Sequence, residues 1–270
     1  MSKLGISIIQ TTLHWEDKPA NLDMLEKKIS RIPANTELIV LPEMFSTGFS
    51  MNNQLLAETM DGITVNWMRK IAADKGVIIT GSIIAKDGSG EESRFYNRLI
   101  WMLPNGDFAF YDKRHLFAYG KEDQHYCAGK KRLIASVNGW KINLQICYDL
   151  RFPVWLRQSN AADAGGAPEY DLIIVVANWP SARSLEWKTL LQARAIENQC
   201  FVVGVNRTGI DGRGLEYSGE SLVAGPSGEI IKLMGSEEAI FSHTLDRDSL
   251  EQFRLKYPFL HDADRFFIQP

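Results

Sequence analysis

The longest uninterrupted apolar run in the sequence is Leu172–Ala177, which ends at Asn178-Trp179-Pro180. A run this short cannot cross a bilayer, so we interpret it as a buried strand followed by a turn. Similar strand patterns alternate with helical patterns along the chain and are mixed with hairpins. Buried strands alternating with helices indicate sheets covered by helices, and hairpins add antiparallel pairs. The sequence therefore predicts an α/β fold with mixed sheets.

Apolar periodicity, terminal glycine or proline and turn signals predict the individual elements. Helices are predicted at 18–31, 64–75, 154–160 and 185–198 and from 246 onward. Strands are predicted at 4–10, 37–41, 77–82, 96–103, 107–111, 133–137, 141–146, 171–177, 200–206, 220–224, 230–234 and 239–245. No repeat or compositional break marks a boundary, so we expect a single domain over residues 1–270.

Four segments are predicted to be loops. Residues 86–92 are polar, residues 164–168 resemble a glycine-rich surface linker, and a glycine-rich loop extends from strand 200–206 to Gly214. Residues 115–131 show too little periodicity for a helix or strand. Irregular segments of that length in a compact domain are usually functional.

Composition excludes several classes of protein. The 30 basic and 33 acidic residues are well mixed and give a net charge of −3, so we expect neither a nucleic-acid nor a membrane partner. Three cysteines are too few for a disulfide framework and suit a reducing compartment. No cysteine or histidine spacing suggests a metal site, and the apolar run near the N-terminus is predicted to be a first strand rather than a signal peptide. We expect a cytoplasmic protein.

A cysteine follows the apolar strand pattern that ends at Ile146. Cys147 is then followed by a polar run and by Pro153, where a helix would begin. A strand-to-helix turn exposes the side chain at its apex and directs free backbone N–H groups above it. A thiol there can act as a nucleophile beside an oxyanion site. The alternative is that Cys147 is a small buried apolar residue, as most free cysteines are.

Polar side chains follow other predicted strands. Glu43 follows one strand, Lys113 follows a hairpin strand, and Asn178 follows the buried apolar run. In α/β sheets, ligand sites lie outside the carboxyl ends of strands. If these strands are neighbours, a carboxylate, an ammonium and the Cys147 thiol meet in one crevice. Taken singly, Glu43 is a common type of turn residue and Lys113 a common type of surface residue, so the prediction depends on their shared placement.

Three blocks around these residues resemble the three motifs of the nitrilase, or carbon–nitrogen hydrolase, superfamily in order and spacing. The blocks are Leu41-Pro42-Glu43-Met44, residues 111–117 (Tyr-Asp-Lys-Arg-His-Leu-Phe) and residues 146–153 (Ile-Cys-Tyr-Asp-Leu-Arg-Phe-Pro). The likeness continues through 178–180, 193–198 and 225–229, and it is greatest to the omega-amidase branch, which hydrolyses 2-oxoglutaramate. Val154 departs from the pattern, because many relatives carry glutamate there.

The resemblance implies a four-layer αββα sandwich that forms a homodimer and needs no cofactor. It also implies hydrolysis of the terminal amide of omega-monoamides of dicarboxylates, such as 2-oxoglutaramate and 2-oxosuccinamate, through a cysteine thioester. Cys147 would be the nucleophile and Glu43 the general base. Lys113 and the backbone N–H of Tyr148 would stabilise the oxyanion. Glu122 matches a second glutamate that the family keeps beside the lysine, although by composition alone it is a solvated loop residue.

Recognition of the substrate's far end would fall to other residues. Arg183 is the candidate for binding a carboxylate, because a guanidinium donates two parallel hydrogen bonds to it; the alternative is a surface arginine. Trp179, Phe117 and Phe45 would form the pocket walls, although aromatic residues at such positions are more often core. Near the cysteine, Asp149 is expected to form an ion pair with Arg151.

Other functions remain open from the sequence. Within the superfamily, a nitrilase, a carbamoylase or an aliphatic amidase would use the same three residues. A non-catalytic binding protein with this fold is less consistent with intact Glu43, Lys113 and Cys147. A thiol redox protein would need a resolving cysteine, and Cys127 and Cys200 are distant from Cys147 in sequence.

Overall fold

The computed structural model of the protein describes residues 2–158, 167–264 and 266–268. These residues form six α-helices, α1 (Lys18–Ile29), α2 (Asn53–Leu56), α3 (Ile63–Lys75), α4 (Pro153–Leu156), α5 (Ser184–Asn198) and α6 (Arg247–Lys256). They also form fourteen strands, β1 (Lys3–Gln10), β2 (Leu38–Val40), β3 (Ile78–Asp87), β4 (Arg94–Met102), β5 (Phe108–Asp112), β6 (Ile134–Val137), β7 (Trp140–Ile146), β8 (Leu172–Ala177), β9 (Phe201–Asn206), β10 (Thr208–Ile210), β11 (Glu216–Ser218), β12 (Leu222–Ala224), β13 (Ile230–Leu233) and β14 (Ala239–Asp246).

Two six-stranded mixed sheets dominate the fold. The first has the strand order β14-β1-β2-β3-β4-β5, and the second has the order β13-β12-β9-β8-β7-β6. In each sheet three central strands are parallel, β1-β2-β3 in the first and β7-β8-β9 in the second, and antiparallel strands flank them. The predicted mixed sheets are confirmed.

Apolar side chains on both faces of each sheet produce four layers. The inner faces pack together, with β1 against β9 and β4 against β7, in one continuous core. Helices α1 and α3 cover the outer face of the first sheet through Leu25 and Met68. Helix α5 covers the second sheet through Trp187 and Leu191, and a Cβ at Gly204 of β9 would lie 2.4 Å from Leu191. The αββα sandwich is therefore confirmed.

Several predicted boundaries are wrong. Strand β3 continues past the predicted end at residue 82 to Asp87, the second residue of the predicted polar loop, because its second half pairs with β4. The helix predicted at 154–160 ends at Leu156, and most of the predicted linker at 164–168 lies outside the described residues. The predicted glycine-rich loop contains β10, which pairs with β11 just beyond Gly214. Val154 is exposed, so the side chain that departs from the family pattern is not part of the core. In the described part of the chain, no helix is long and apolar enough to span a membrane.

Candidate active site

Glu43 lies in the turn after β2 and is completely buried. Strand β3 holds this turn, because the backbone N–H groups of Leu41 and Phe45 donate to its carbonyls and that of Met44 donates to the Ser82 hydroxyl. The Glu43 carboxylate is thereby fixed at the edge where β2 meets the second sheet.

Three donors converge on the Glu43 carboxylate. Lys113 Nζ donates at 2.9 Å and Asn97 Nδ2 at 2.7 Å to Oε1, and the backbone N–H of Asn178 donates at 2.8 Å to Oε2. The Cys147 thiol lies close by, because its Sγ contacts the Asn178 carbonyl oxygen at 3.9 Å and the charge of Glu43 contributes to raising the pKa of this thiol. Glu43 thus lies where it can exchange a proton with the thiol.

Lys113 follows β5, which runs in the same direction as β2 because β4 lies antiparallel between β3 and β5. Its ammonium is buried between two carboxylates, at 2.9 Å from Glu43 and 2.9 Å from Glu122. Burial alone would lower the pKa of Lys113, but the charges of Glu122 and Glu43 outweigh it and raise that pKa above its usual value. The amine is therefore a fixed cation at neutral pH.

Glu122 comes from the irregular segment 115–131, which contains two 3₁₀ turns, Ala118–Gly120 and Glu122–Gln124. Its carboxylate is completely buried and accepts hydrogen bonds from Lys113 Nζ, Asn97 Nδ2 and the backbone N–H of Phe117. Burial, supported by the charge of Glu43, raises the pKa of Glu122. The interpretation of Glu122 as a solvated loop residue is wrong, and the segment folds to deliver this carboxylate to the lysine.

Cys147 leaves β7 with a φ of +44°, a conformation that non-glycine residues rarely adopt. The 3₁₀ turn Cys147–Arg151 follows at once. Removal from bulk water and the nearby charge of Glu43 raise the pKa of the thiol well above its usual value, and Lys113 offsets this only partly. A thiol with a raised pKa stays protonated at neutral pH, so it would need a base in order to act as a nucleophile.

Asp149 holds the Cys147–Arg151 turn to the segment that carries Lys113. Its buried carboxylate accepts from Ile146 N at 3.1 Å, from Tyr111 Oη at 2.8 Å and from His115 N at 3.0 Å, and it also contacts His115 Nδ1 at 2.8 Å. The predicted ion pair with Arg151 is wrong, because Asp149 is fully engaged by these donors and Arg151 contacts Glu186 instead, at 3.7 Å.

Asp149→Asn is expected to lower the free energy of unfolding by about 2–3 kcal/mol, because an amide replaces one acceptor oxygen by a donor next to the Ile146 N–H, the His115 N–H and the Tyr111 hydroxyl, which all donate to Asp149. Urea denaturation measures the change. Arg151→Gln is the matched control, since this half-exposed ion pair contributes less than about 1 kcal/mol. Equal effects of the two variants would contradict the anchoring role of Asp149.

A cavity of about 140 Å³ opens above the cysteine. Lys113, Cys147, Tyr148 and Asn178 line its inner part. The remaining lining residues are mostly aromatic or cationic: Phe49, Phe117, Tyr119, Gly120, Arg151, Trp179, Pro180, Arg183, Arg213, Leu215 and Tyr217. Three predicted pocket residues, Trp179, Phe117 and Arg183, therefore lie in the cavity wall.

The fourth predicted wall residue, Phe45, is wrongly assigned. It is completely buried in the core between the first sheet and its helices, where its ring packs against Trp67 at 5.9 Å. Its backbone is part of the Glu43 turn, and the side chain points into the core as an ordinary apolar residue.

Sequence reasoning missed Asn97 and placed Asn178 at a strand end without giving it a role, and both asparagines organise the site. Asn97 donates to both Glu43 and Glu122, and Asn178 donates its side-chain N–H to the backbone carbonyl of Glu43 at 2.6 Å. A polar residue at the start of the apolar strand pattern 96–103 was the only sequence signal for Asn97. Among the described residues, no group of three or more histidine, cysteine or acidic side chains could hold a metal ion.

Comparison with known proteins agrees with this geometry. The carbon–nitrogen hydrolase family model matches residues 5–255. Omega-amidase YafV of Escherichia coli K12 is 43% identical over 98% of this chain and 99% of its own, and 2-oxoglutaramate amidase of Bacillus subtilis is 32% identical over 96% and 97%. A CN-hydrolase superfamily protein of Xanthomonas campestris, solved with an arsenic adduct in its active site, superposes with a TM-score of 0.94 at 42% identity, covering 100% of both chains. The chain belongs to the carbon–nitrogen hydrolase family.

Proposed function

We propose that this protein is an omega-amidase that hydrolyses the terminal amide of 2-oxoglutaramate and related omega-monoamides of dicarboxylates. The observation that carries the proposal is the meeting of Glu43, Lys113 and Cys147 beneath a cavity whose lining contains three arginines and, among the described residues, no carboxylate. The names of the curated relatives, omega-amidase and 2-oxoglutaramate amidase, support the same substrate class.

The first half of the reaction forms a thioester. Cys147 Sγ attacks the amide carbon while the thiol proton moves to Glu43, so a protonated thiol becomes a nucleophile without ionising beforehand. Negative charge develops on the carbonyl oxygen, which the Lys113 ammonium and the backbone N–H of Tyr148 stabilise. Glu43 then returns the proton to the nitrogen, the C–N bond breaks, and ammonia leaves.

The second half releases the acid. A water molecule takes the position that ammonia vacated, and Glu43 removes its proton as the water oxygen attacks the thioester carbon. The C–S bond breaks, and the proton on Glu43 returns to sulfur. Lys113 remains an ammonium throughout, because its two buried carboxylate neighbours raise its pKa. Its role is electrostatic and involves no proton transfer.

Recognition of a substrate carboxylate is supported by the charges around the cavity. Arg183 stacks on Phe117, with its guanidinium carbon 5.4 Å from the ring centre, and no ion pair to it is found among the described residues. The indole N–H of Trp179 donates at 2.7 Å to the Arg183 carbonyl and holds the turn that carries it. An unpaired guanidinium beside the nucleophile suits a small anionic amide.

The expected substrate order is 2-oxoglutaramate far above glutamine, an aliphatic nitrile and an N-carbamoyl amino acid. The cationic cavity wall attracts the substrate carboxylate, whereas the α-ammonium of glutamine finds no carboxylate partner in the described lining. We expect kcat/KM for 2-oxoglutaramate to exceed that for glutamine by about 100-fold or more, since one lost or repelled charged contact has this effect. Ammonia release with each compound at equal concentration measures the order.

Equal or greater activity on the nitrile or the carbamoyl compound would replace the omega-amidase proposal by another carbon–nitrogen hydrolase. Similar kcat/KM values for 2-oxoglutaramate and for an uncharged amide of the same length would show that the substrate carboxylate does not contribute to specificity. That result would indicate an aliphatic amidase.

A further inference from the structure

The β10–β11 hairpin forms one wall of the cavity. Arg213 and Leu215 in its loop and Tyr217 in β11 contribute side chains to the lining. Strand β11 packs against the 3₁₀ turn Ser181–Arg183. The cavity wall therefore carries Arg183 and Arg213 on two adjacent elements.

The hairpin loop is held in place by its own hydrogen bonds. The Asp211 carboxylate accepts from Arg213 N at 2.8 Å, from Leu215 N at 3.0 Å and from Tyr217 Oη at 3.0 Å. A carboxylate that closes the loop on itself in this way fixes the backbone from which the Arg213 side chain extends. Binding groups on such a loop lose little freedom when a ligand arrives.

A buried arginine fastens the base of the hairpin. Arg207 is completely buried, and its guanidinium donates to the backbone carbonyls of Thr208, Leu13 and Ile210 and lies 4.7 Å from the centre of the Tyr217 ring. These contacts join the hairpin to the loop after β1. The hairpin is therefore a rigid part of the cavity wall.

The guanidinium of Arg213 lies between two aromatic rings, at 5.6 Å from the centre of Trp15 and 5.7 Å from that of Phe49. Its one carboxylate neighbour in the described residues is Asp211, at 3.4 Å, and that carboxylate already accepts three shorter bonds. A guanidinium has five N–H donors in a fixed plane. Most of those of Arg213 are therefore left for a ligand in the cavity.

We propose that Arg213 is a specificity-determining residue that binds, together with Arg183, the substrate carboxylate remote from Cys147. The inference rests on the proposed function and deepens it, because it assigns the choice of omega-monoamides over neutral amides to the β10–β11 hairpin. Both guanidinium groups line the cavity and lie against phenyl rings of its wall, and a guanidinium binds a carboxylate through two parallel hydrogen bonds.

The test compares Arg213→Gln with Arg31→Gln, which removes the same charge from an exposed position beyond α1. Glutarate protects Cys147 from alkylation by iodoacetamide if it occupies the cavity, and peptide mass spectrometry follows this without requiring turnover. The exposed Cys127 reports the reactivity of the reagent in every sample. Steady-state kinetics with 2-oxoglutaramate and with butyramide complete the comparison.

We expect the apparent Kd of glutarate to rise about 10- to 100-fold in Arg213→Gln and to stay unchanged in Arg31→Gln. The value of kcat/KM for 2-oxoglutaramate should fall by the same factor, mostly through KM, while that for butyramide stays within about twofold. Equal protection of wild type and Arg213→Gln, or no protection of wild type, would overturn the inference. If Arg213→Gln weakens the protection by glutarate but the wild-type protein hydrolyses no omega-monoamide, the carboxylate site is supported and the proposed function is overturned.

Discussion

Cys147→Ala is expected to lower kcat for 2-oxoglutaramate by about 10⁴-fold or more, because Cys147 supplies the one thiol of the described cavity lining and alanine cannot form a thioester. The cavity and the carboxylate-lysine network lie beside the lost sulfur and are retained, so substrate binding should persist. Ammonia release gives the rate. Rapid quenching followed by intact-protein mass spectrometry should detect the acyl group on wild type and no adduct on the variant.

The matched control is Cys127→Ala, which removes an exposed thiol outside the cavity and should keep the full rate. The Cys147→Ala variant should fold like the wild type, because alanine and cysteine both carry a Cβ and are similarly strained at the φ of +44° at position 147. A Cys147→Ala protein that retains a near-normal rate, or an acyl group found on another residue, would refute the thioester mechanism.

The sequence predicted that Glu43, Lys113 and Cys147 would lie in one site, because each follows a recognisable strand end and because the three motifs occur in family order. It did not predict how they meet. Glu43 and Lys113 come from the first sheet and Cys147 from the second, so the site is a junction between sheets and is not made by neighbouring strands of one sheet. Such a junction depends on the packing of the two inner faces, which no local pattern contains.

The supporting residues were missed for similar reasons. Asn97 and Glu43 are 54 residues apart, and only the pairing of β4 with β3 brings them together. The β10–β11 hairpin was not predicted, because its strands are three residues each and too short to show alternation. Phe45 was placed in the cavity because it lies beside Glu43 in sequence, yet adjacent side chains in a turn point in different directions.

Glu43→Gln is expected to lower kcat/KM by about 10³- to 10⁴-fold and, at the same time, to lower the pKa of the Cys147 thiol. Glutamine cannot accept the thiol proton, so both halves of the reaction lose their base. The pKa falls because Glu43 supplies part of the negative charge that raises it, while Lys113, which lowers it, remains. The thiolate would thus be more abundant in the variant and the reaction slower. Absorbance of the thiolate at 240 nm against pH measures the first effect, and ammonia release the second.

Glu43→Asp distinguishes the effect of the negative charge of this residue from the effect of its side-chain length. Aspartate keeps a negative charge near Lys113, but its side chain is one methylene shorter, so its carboxylate lies farther from the Cys147 thiol. Turnover should therefore fall, while the pKa of the thiol stays high. Because breaking a buried ion pair costs about 3–5 kcal/mol, thermal melts must first establish that both variants are folded at the assay temperature.

Two results for Glu43→Gln would show that Glu43 is not the base: a higher pKa of the Cys147 thiol than in wild type, or a rate above about a tenth of the wild-type rate. The proton would then have to leave sulfur through Lys113 or solvent, and the raised pKa of Lys113 makes that amine a poor acceptor.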